Sequence, residues 1–426
     1  MSRAVVLVVG RNPAQAMGGG HSYLRVHGRA AAQAGFEPHV FYAGPVERIV
    51  RHEYGHLHEA RSFFAHRFAN SQGLDINKCL VPLLAPRVAA AIARFLSTRK
   101  GPHLIHGFSA WGYTALLARE KLRRAGADAI VVNSVYTTAE NESRIKAAAM
   151  RGYASPAIRA AVRLEYAVIR RAIARCERRI FAESDLVLLN YDAVHRLYLK
   201  DYGLGTKVRK LPYAAEAAFL RRNDDPLPPE PPAIAALAPR RAPLIVAVSR
   251  HDPRKGLDVL LRALAELRAR GVPFRACLTS GGMLLNEHRR SATLLGIADA
   301  VAFTDWVADP YPYLRHADIF VLPSLQEASG SLSLLEALQA GAAVVASGID
   351  GIPEDVADGD SALLVPPGDP AALSRALDRV LTDGVLRERL RRRARETFVE
   401  KFSAAAFTDA LRSTYTDLLA ESTERR

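Results

Sequence analysis

Arg250 and Lys255 sit close together in "VAVSRHDPRKGLDVLL", a segment that reads as a buried strand, a short loop and a helix whose apolar positions are Leu257, Leu260, Leu261 and Leu264. Two cations at the carboxyl end of a buried strand can neutralise a diphosphate, the arginine through its planar fork of donors and the lysine as a point charge. As loop residues, both are expected to be removable with little effect on folding. The next strand-like run ends in "LTSGGM", where Gly281 and Gly282 permit close backbone approach to a ligand or simply make a tight turn. Farther along, "PSLQEASGSLSLLEALQAG" places Glu327 in a loop of small residues and Glu336 inside the helix that follows. Amides around Ser329, Gly330 and Ser331, at the helix start, can bind phosphate. Glu336 can accept hydrogen bonds from a ribose diol, leaving Glu327 for another hydroxyl-rich group. Each feature alone also has an ordinary reading as a solvated loop or helix face. Glu336 resists that reading, because it lies between Leu335 and Ala337 on a helix that should be mostly buried.

The elements that must position these residues repeat along the chain. "AVVLVV", "PHVFYAG", "HLIHGF", "AIVVNSVY" and "DLVLLN" alternate with helix-period segments, and the pattern restarts with "PLIVAVS", "FRACLTSGG", "AVAFTDW", "DIFVLPS" and "AAVVAS". Short, continuously apolar strands with helices between them argue for parallel sheets covered on both faces. Between the two sets lies a stretch with prolines at 226, 228, 229, 231 and 232, which disfavour helix and strand alike and mark a linker. The expected organisation is α/β: a doubly wound, Rossmann-like domain over 1–221, a linker over 222–243, and a second such domain over 244–403. A helix over 404–426 is expected to cross back onto the first domain. Domains of this kind bind ligands at the carboxyl ends of their strands, so a central cleft between them is the expected site.

Bulk composition narrows the class. The 426 residues exceed one ordinary core, and 49% hydrophobic with 24% charged residues is a soluble balance. "MSRAVVLVVGRN" has too short an apolar stretch for a signal peptide, and Cys79, Cys176 and Cys277 have no metal-like spacing, so a cytoplasmic chain is the natural reading. A formal net charge of +14 points to an anionic partner. From Arg159 to Arg179, seven arginines face only Glu165 and Glu177, around an apolar stripe of Val162, Tyr166, Ile169, Ile173 and Ile180. The plain reading is a solvated surface helix. The sharper one is a patch resting on an anionic membrane or acceptor. Nucleic acid is disfavoured, since no aromatic-studded basic groove or reader motif accompanies the charge.

With these motifs in place, the second half resembles the nucleotide-binding domain of the GT-B glycosyltransferases, specifically the retaining family 4 (group 1) type. "SRHDPRKGLDVLL", "DIFVLPSLQE", "LLEALQAGAAVVAS", "GIPEDVADGDSALLVPPGDPAAL" and "EKFSAAAF" follow that family's order over roughly residues 244–410. The resemblance implies that Arg250 and Lys255 hold the donor diphosphate and its developing charge, that Glu336 takes the ribose hydroxyls, and that Glu327 contacts the transferred sugar. Trp306 joins Glu336 as a candidate on the nucleoside side. The first half resembles the family more loosely. "QAMGGGHSYLRVHGRAAAQAGFEPHVF" matches a first strand's glycine-rich loop and helix, making Gly18, Gly19 and Gly20 phosphate candidates with His21 beside them. "HLIHGFSAWG" offers His106 as a cleft candidate, although a lone histidine is more often structural.

The sequence also departs from the family. Eight residues separate Glu327 from Glu336 where seven are usual. The histidine common after the "AIVVNSVYTT" strand is absent, leaving Tyr136 as the candidate there. "LPYAAEAAF" replaces an asparagine–glycine before the linker. The expectation is therefore a retaining glycosyltransferase, in bacterial glycan, glycolipid or small-molecule glycosylation, with a nucleoside diphosphate sugar as co-substrate and a hydroxyl acceptor. No cofactor and no metal is expected, because no aspartate pair suited to a divalent ion stands out. The chain is expected to be cytoplasmic, with peripheral contact at the inner membrane face if the arginine patch is used. A nucleotide-sugar-binding protein without turnover, or an epimerase on the same fold, are the alternatives. The base, sugar, acceptor and oligomeric state have no signature in the residues.

Overall fold

The computed structural model describes residues 3–10, 12–14, 19–62, 79–149, 156–203, 207–222, 224–237, 239, 241–327 and 329–424. The chain divides into two compact units, Met1–Glu216 with Ala404–Arg426, and Ala217–Ser403.

The first unit is built on eight strands: β1 (Arg3–Val8), β2 (Phe36–Gly44), β3 (Arg48–His52), β4 (Gly55–Arg61), β5 (His103–Phe108), β6 (Ala129–Val135), β7 (Leu186–Leu189) and β8 (Val208–Lys210). Their order is β3-β4-β2-β1-β5-β6-β7-β8, and every pairing is parallel except β3 with β4. The central strands are the continuous apolar runs of the sequence, with Val5, Val6, Leu7 and Val8 wholly buried. The β3–β4 hairpin is an antiparallel edge on the otherwise parallel sheet. Its pattern is hidden because β4 buries polar groups: Glu59 accepts from Arg48 at 2.7 Å and from Tyr42 at 3.2 Å, and His58 Nε2 is hydrogen-bonded with His39 Nδ1 at 2.9 Å. Helix α1 (Gly19–Gln33) packs on the sheet beside the C-terminal helix, Ala404–Glu424. That last helix buries Phe407, Leu411, Tyr415 and Leu418, and is tied down by Arg209–Asp417 at 2.9 Å and Lys207–Glu421 at 2.9 Å.

The arginine-rich stretch forms α2 (Pro156–Val168), a π-helical turn at Ile169–Ile173 and α3 (Ala174–Glu183). Ile169, Ile173 and Ile180 face inward as the stripe implied, and Tyr166 is half-buried; the side chain of Val162 lies outside the described residues.

The second unit is a six-stranded, all-parallel sheet in the order β11-β10-β9-β12-β13-β14, formed by β9 (Leu244–Val248), β10 (Arg275–Thr279), β11 (Val301–Phe303), β12 (Ile319–Leu322), β13 (Ala343–Ser347) and β14 (Leu363–Val365). Helix α4 (Leu257–Ala269) buries all four leucines of its apolar face against Ile245, Ile319 and Val345. Helix α5 (Leu332–Ala340) ends at left-handed Gly341. The proline-rich stretch is not structureless. Pro232–Ala235 makes a helical turn with proline at its first position, and Ile234 and Leu237 are buried within this unit. Among the described residues, no helix is long and apolar enough to cross a membrane, and no group of three or more His, Cys, Asp and Glu side chains is arranged to hold a metal ion.

Candidate functional site

On the second unit, the loops that follow β9, β10, β12 and β13 leave the same end of a parallel sheet and are pinned to one another through backbone. After β9, the Asp252 carboxylate accepts the Arg254 amide at 3.0 Å and caps the turn Pro253–Lys255. Burial works to raise the Asp252 pKa, but Arg254 beside it holds the carboxyl below its usual range. Gly256 then turns left-handed at φ 60°, and a Cβ there would lie 2.1 Å from the Pro323 carbonyl oxygen, so only glycine lets the β9 and β12 loops meet. They are joined by the Leu325 and Gln326 amides, which donate to the Arg254 carbonyl at 2.7 and 3.2 Å.

His251 connects this loop to the next. Its amide donates to Gly281 O at 3.0 Å, and its carbonyl accepts from Leu284 N at 3.0 Å. Its ring is buried against His288, the two Nδ1 atoms 2.7 Å apart, and burial together with that neighbour pushes its pKa down to about 4. Gly282 passes so close that a Cβ would fall 2.5 Å from His251 O, whereas the same construction at Gly281 meets only Trp306 N, at 3.8 Å. Gly281 thus leaves space above it, with the backbone of Trp306 alongside and that indole more than half exposed.

Lys255 and Glu327 meet where these loops converge. Lys255 Nζ donates to both carboxylate oxygens of Glu327 at 2.7 Å, and Ser324 Oγ donates to Oε1. The Glu327 side chain is only 4% exposed and that of Lys255 16%. Two of three ammonium protons are used here, which leaves one for a further acceptor. The Glu327 amide donates to Asp350 Oδ2 at 2.7 Å, and Gly351 N donates to Ser329 O at 2.8 Å. Ser331 precedes α5 in extended conformation, its hydroxyl paired with Ser333 Oγ at 2.9 Å rather than capping the helix, so no side chain of its own covers the first-turn amides. Glu336 is half-buried between the buried Leu335 and Ala337, and Arg250 is exposed.

Of the expected residues of the second half, Arg250, Lys255, Gly281, Trp306, Glu327, Ser329, Gly330 and Ser331 lie in loops beyond the carboxyl ends of one sheet, and Glu336 lies farther on, in the second turn of α5. Those of the first half belong to the first unit. Gly18 lies outside the described residues; Gly19 and Gly20 open α1, followed by His21, whose side chain lies outside them. His106 is fully buried rather than presented to an open face, with Nδ1 2.7 Å from Tyr415 Oη and Nε2 2.7 Å from Ser134 Oγ, and burial lowers its pKa well below the ordinary value. Tyr136 stacks on Tyr23 at 3.8 Å, and its hydroxyl lines a cavity of about 10 Å³ with His27 and Asn190. His27 Nε2, Asn190 Oδ1 and Tyr136 Oη are buried there without a hydrogen-bond partner among the described residues, in a space suited to one water. Sequence reasoning missed Ser324, Asp350 and the His251–His288 pair. Only the short spacing of Ser324 to Glu327 offered a signal.

Comparison with known proteins agrees with this architecture. Solved structures match nearly the whole chain: sucrose-phosphate synthase from Thermosynechococcus elongatus with TM-score 0.70 at 20% identity, covering 98% of this chain and 100% of that one, and Anabaena HepE in complex with UDP with TM-score 0.67 at 15% identity, covering 97% and 100%. Two parallel-sheet α/β units of this kind define the GT-B fold. Residues 242–383 match the family model described as "Glycosyl transferases group 1". A 36% identity over 182 residues links the chain to the lipopolysaccharide core biosynthesis glycosyltransferase LpsE of Rhizobium meliloti, covering 43% of this chain and 51% of that protein. A 31% identity over 218 residues links it to the GDP-mannose-dependent alpha-(1-6)-phosphatidylinositol monomannoside mannosyltransferase of Mycolicibacterium smegmatis, covering 48% and 55%. The chain spans about half the length of these relatives.

Proposed function

We propose that this protein transfers a sugar from a nucleoside diphosphate sugar to an acceptor hydroxyl with retention of anomeric configuration. The observation that carries the reading is the Lys255–Glu327 pair, buried at the carboxyl ends of a parallel sheet between an open glycine approach and an uncapped helix start. Lys255 and Arg250 stabilise the departing diphosphate, aided by amides at Ser329–Ser331. Glu336 accepts from the ribose and Glu327 from the sugar hydroxyls. The bond from the anomeric carbon to the phosphate oxygen breaks, the acceptor oxygen bonds to the same face, and the acceptor proton passes to the leaving phosphate. Because two side-chain cations carry the charge of the leaving group, the reaction is written without a metal. The test is turnover of UDP-glucose and GDP-mannose against a panel of sugar and lipid acceptors, with and without EDTA, and the anomeric configuration of the product by NMR. Inverted product, or no release of nucleotide from any donor, overturns the reading.

The acceptor is proposed to be presented at an anionic membrane surface, on the cytoplasmic side. Along α2, the π-turn and α3, the exposed residues include Arg163, Leu164, Val168, Arg170, Arg171 and Arg175, while Glu165 and Glu177 are buried on the inner side, where Glu177 accepts from Ala139 N at 3.0 Å and Tyr202 Oη at 2.5 Å. No ion pair to those four arginines is found among the described residues. A basic face interspersed with exposed leucine and valine has the chemistry of a surface that rests on lipid headgroups.

A further inference from the structure

The extra residue between Glu327 and Glu336 falls in a loop that the structure fastens from a distant strand end. Glu327 and Ser329 flank Ala328, which lies outside the described residues. The amide of the first is taken by Asp350 Oδ2 at 2.7 Å, and the carbonyl of the second accepts Gly351 N at 2.8 Å. Consecutive residues of the β13 loop thus hold both neighbours of Ala328, at the start of the lengthened segment. Asp350 itself has φ 48°, the left-handed region that glycine enters without cost and aspartate only with some. A side chain kept at that position and used on the Glu327 amide is doing what a glycine there cannot.

Resting on the donor-site reading above, we propose that Asp350 is a positioning residue for sugar transfer: its carboxylate fixes the Glu327 backbone so that the Glu327 side chain meets Lys255 despite the longer loop. Glu327 sits in the sugar half of the site and Glu336 in the nucleoside half. Loosening Glu327 therefore affects turnover and leaves nucleotide binding alone.

Three variants test this, with nucleotide release from UDP-glucose and GDP-mannose for turnover and calorimetry with UDP and GDP for binding. Asp350→Gly suits the backbone and removes the acceptor, and it is expected to lower kcat at least tenfold while the nucleotide Kd stays within twofold. Asp350→Asn keeps an acceptor oxygen and tolerates positive φ, and it is expected to remain within threefold of the unmodified protein in both. Full turnover in Asp350→Gly overturns the proposal, as does equal loss of turnover and nucleotide binding. If Asp350→Gly does not fold, Asp350→Asn decides: near-native kcat supports the role, and a tenfold loss overturns it. Lys255→Ala separates the underlying reading, because full turnover in that variant sinks the donor site itself whatever Asp350 does.

Discussion

Lys255 and Glu327 do more for each other than two solvated loop residues could. Loop position alone implies that Arg250 and Lys255 can both be removed without affecting folding. The geometry separates them. Arg250 is exposed, so Arg250→Ala should leave Tm unchanged, whereas Lys255→Ala leaves the buried Glu327 carboxylate with Ser324 as its remaining side-chain partner in the pair's network and should lower stability by about 1–3 kcal/mol. Both should lower kcat/KM by roughly 2–4 kcal/mol of transition-state stabilisation, measured by steady-state kinetics beside thermal melts. Native turnover in both would put the phosphate site elsewhere. The two glutamates divide in the same way. Glu336→Gln should weaken UDP or GDP in calorimetry, and Glu327→Gln should spare the free nucleotide but weaken the sugar conjugate. Equal loss of nucleotide in both would refute the division between nucleoside and sugar.

At the scale of elements, the arginine helix carries the clearest consequence. Arg178 rests over the Tyr202 ring at 5.9 Å, and Arg179 pairs with Glu183 at 2.7 Å and Glu120 at 2.5 Å, so among the described side chains the exposed arginines without such a partner are Arg163, Arg170, Arg171 and Arg175. Each cation near an anionic bilayer contributes about 1 kcal/mol, screened by salt. Flotation with vesicles containing phosphatidylglycerol should therefore be strong at low ionic strength, weak in neutral vesicles, and lost in Arg171→Glu/Arg175→Glu, while activity on a soluble acceptor persists. Failure to float even at low salt would make this helix an ordinary solvated face. The stripe beneath it was legible because isoleucines at helical spacing have one use. The buried strands were legible for the same reason, since a strand covered on both faces must be apolar throughout. The β3–β4 hairpin was not, because Glu59 and His58 are buried by partners on neighbouring strands, and β8 and β14 are three-residue edges too short to show a pattern. In the site, the residue types were legible but their pairing was not. Lys255 and Glu327 are 72 positions apart and Glu327 and Asp350 are 23, distances at which sequence carries no geometry. His106 lies within strand β5 rather than at its end, and it faces the interior, where Tyr415 and Ser134 satisfy both of its nitrogens.

Across the whole molecule, buried histidines are unevenly shared, and that sets how it responds to acid. In the first unit, burial pushes His27 down to about 3 and His39 and His58 each to about 4, and holds His106 well below its ordinary value. In the second unit, His251 is pushed to about 4 and His288 is lowered. A histidine whose pKa is depressed on folding is neutral in both states above pH 6.5, so it affects stability only below that value. Between about 6.5 and 4 the unfolded chain takes up the proton and the folded chain does not, and stability falls by about 1.4 kcal/mol per pH unit for each such group. Glu216, held below its usual range by Arg25 and Arg29 against the opposing effect of burial, adds a loss in the same direction, beginning nearer pH 4.5. With four depressed histidines against two, the first unit should unfold first as pH drops from 7.5 to 5. The two tryptophans of the chain allow the units to be told apart, because Trp111 is partly buried in the first and Trp306 stands exposed in the second. In Trp306→Phe, the midpoint of Trp111 emission at pH 5 should lie below the midpoint of the helical circular dichroism signal, with the two coinciding more closely at pH 7.5. Replacing His39 and His58 together by glutamine should flatten the pH dependence of the Trp111 transition between 6.5 and 5. A Trp111 midpoint that stays constant over that range would mean these histidines are protonated alike in the folded and unfolded chain.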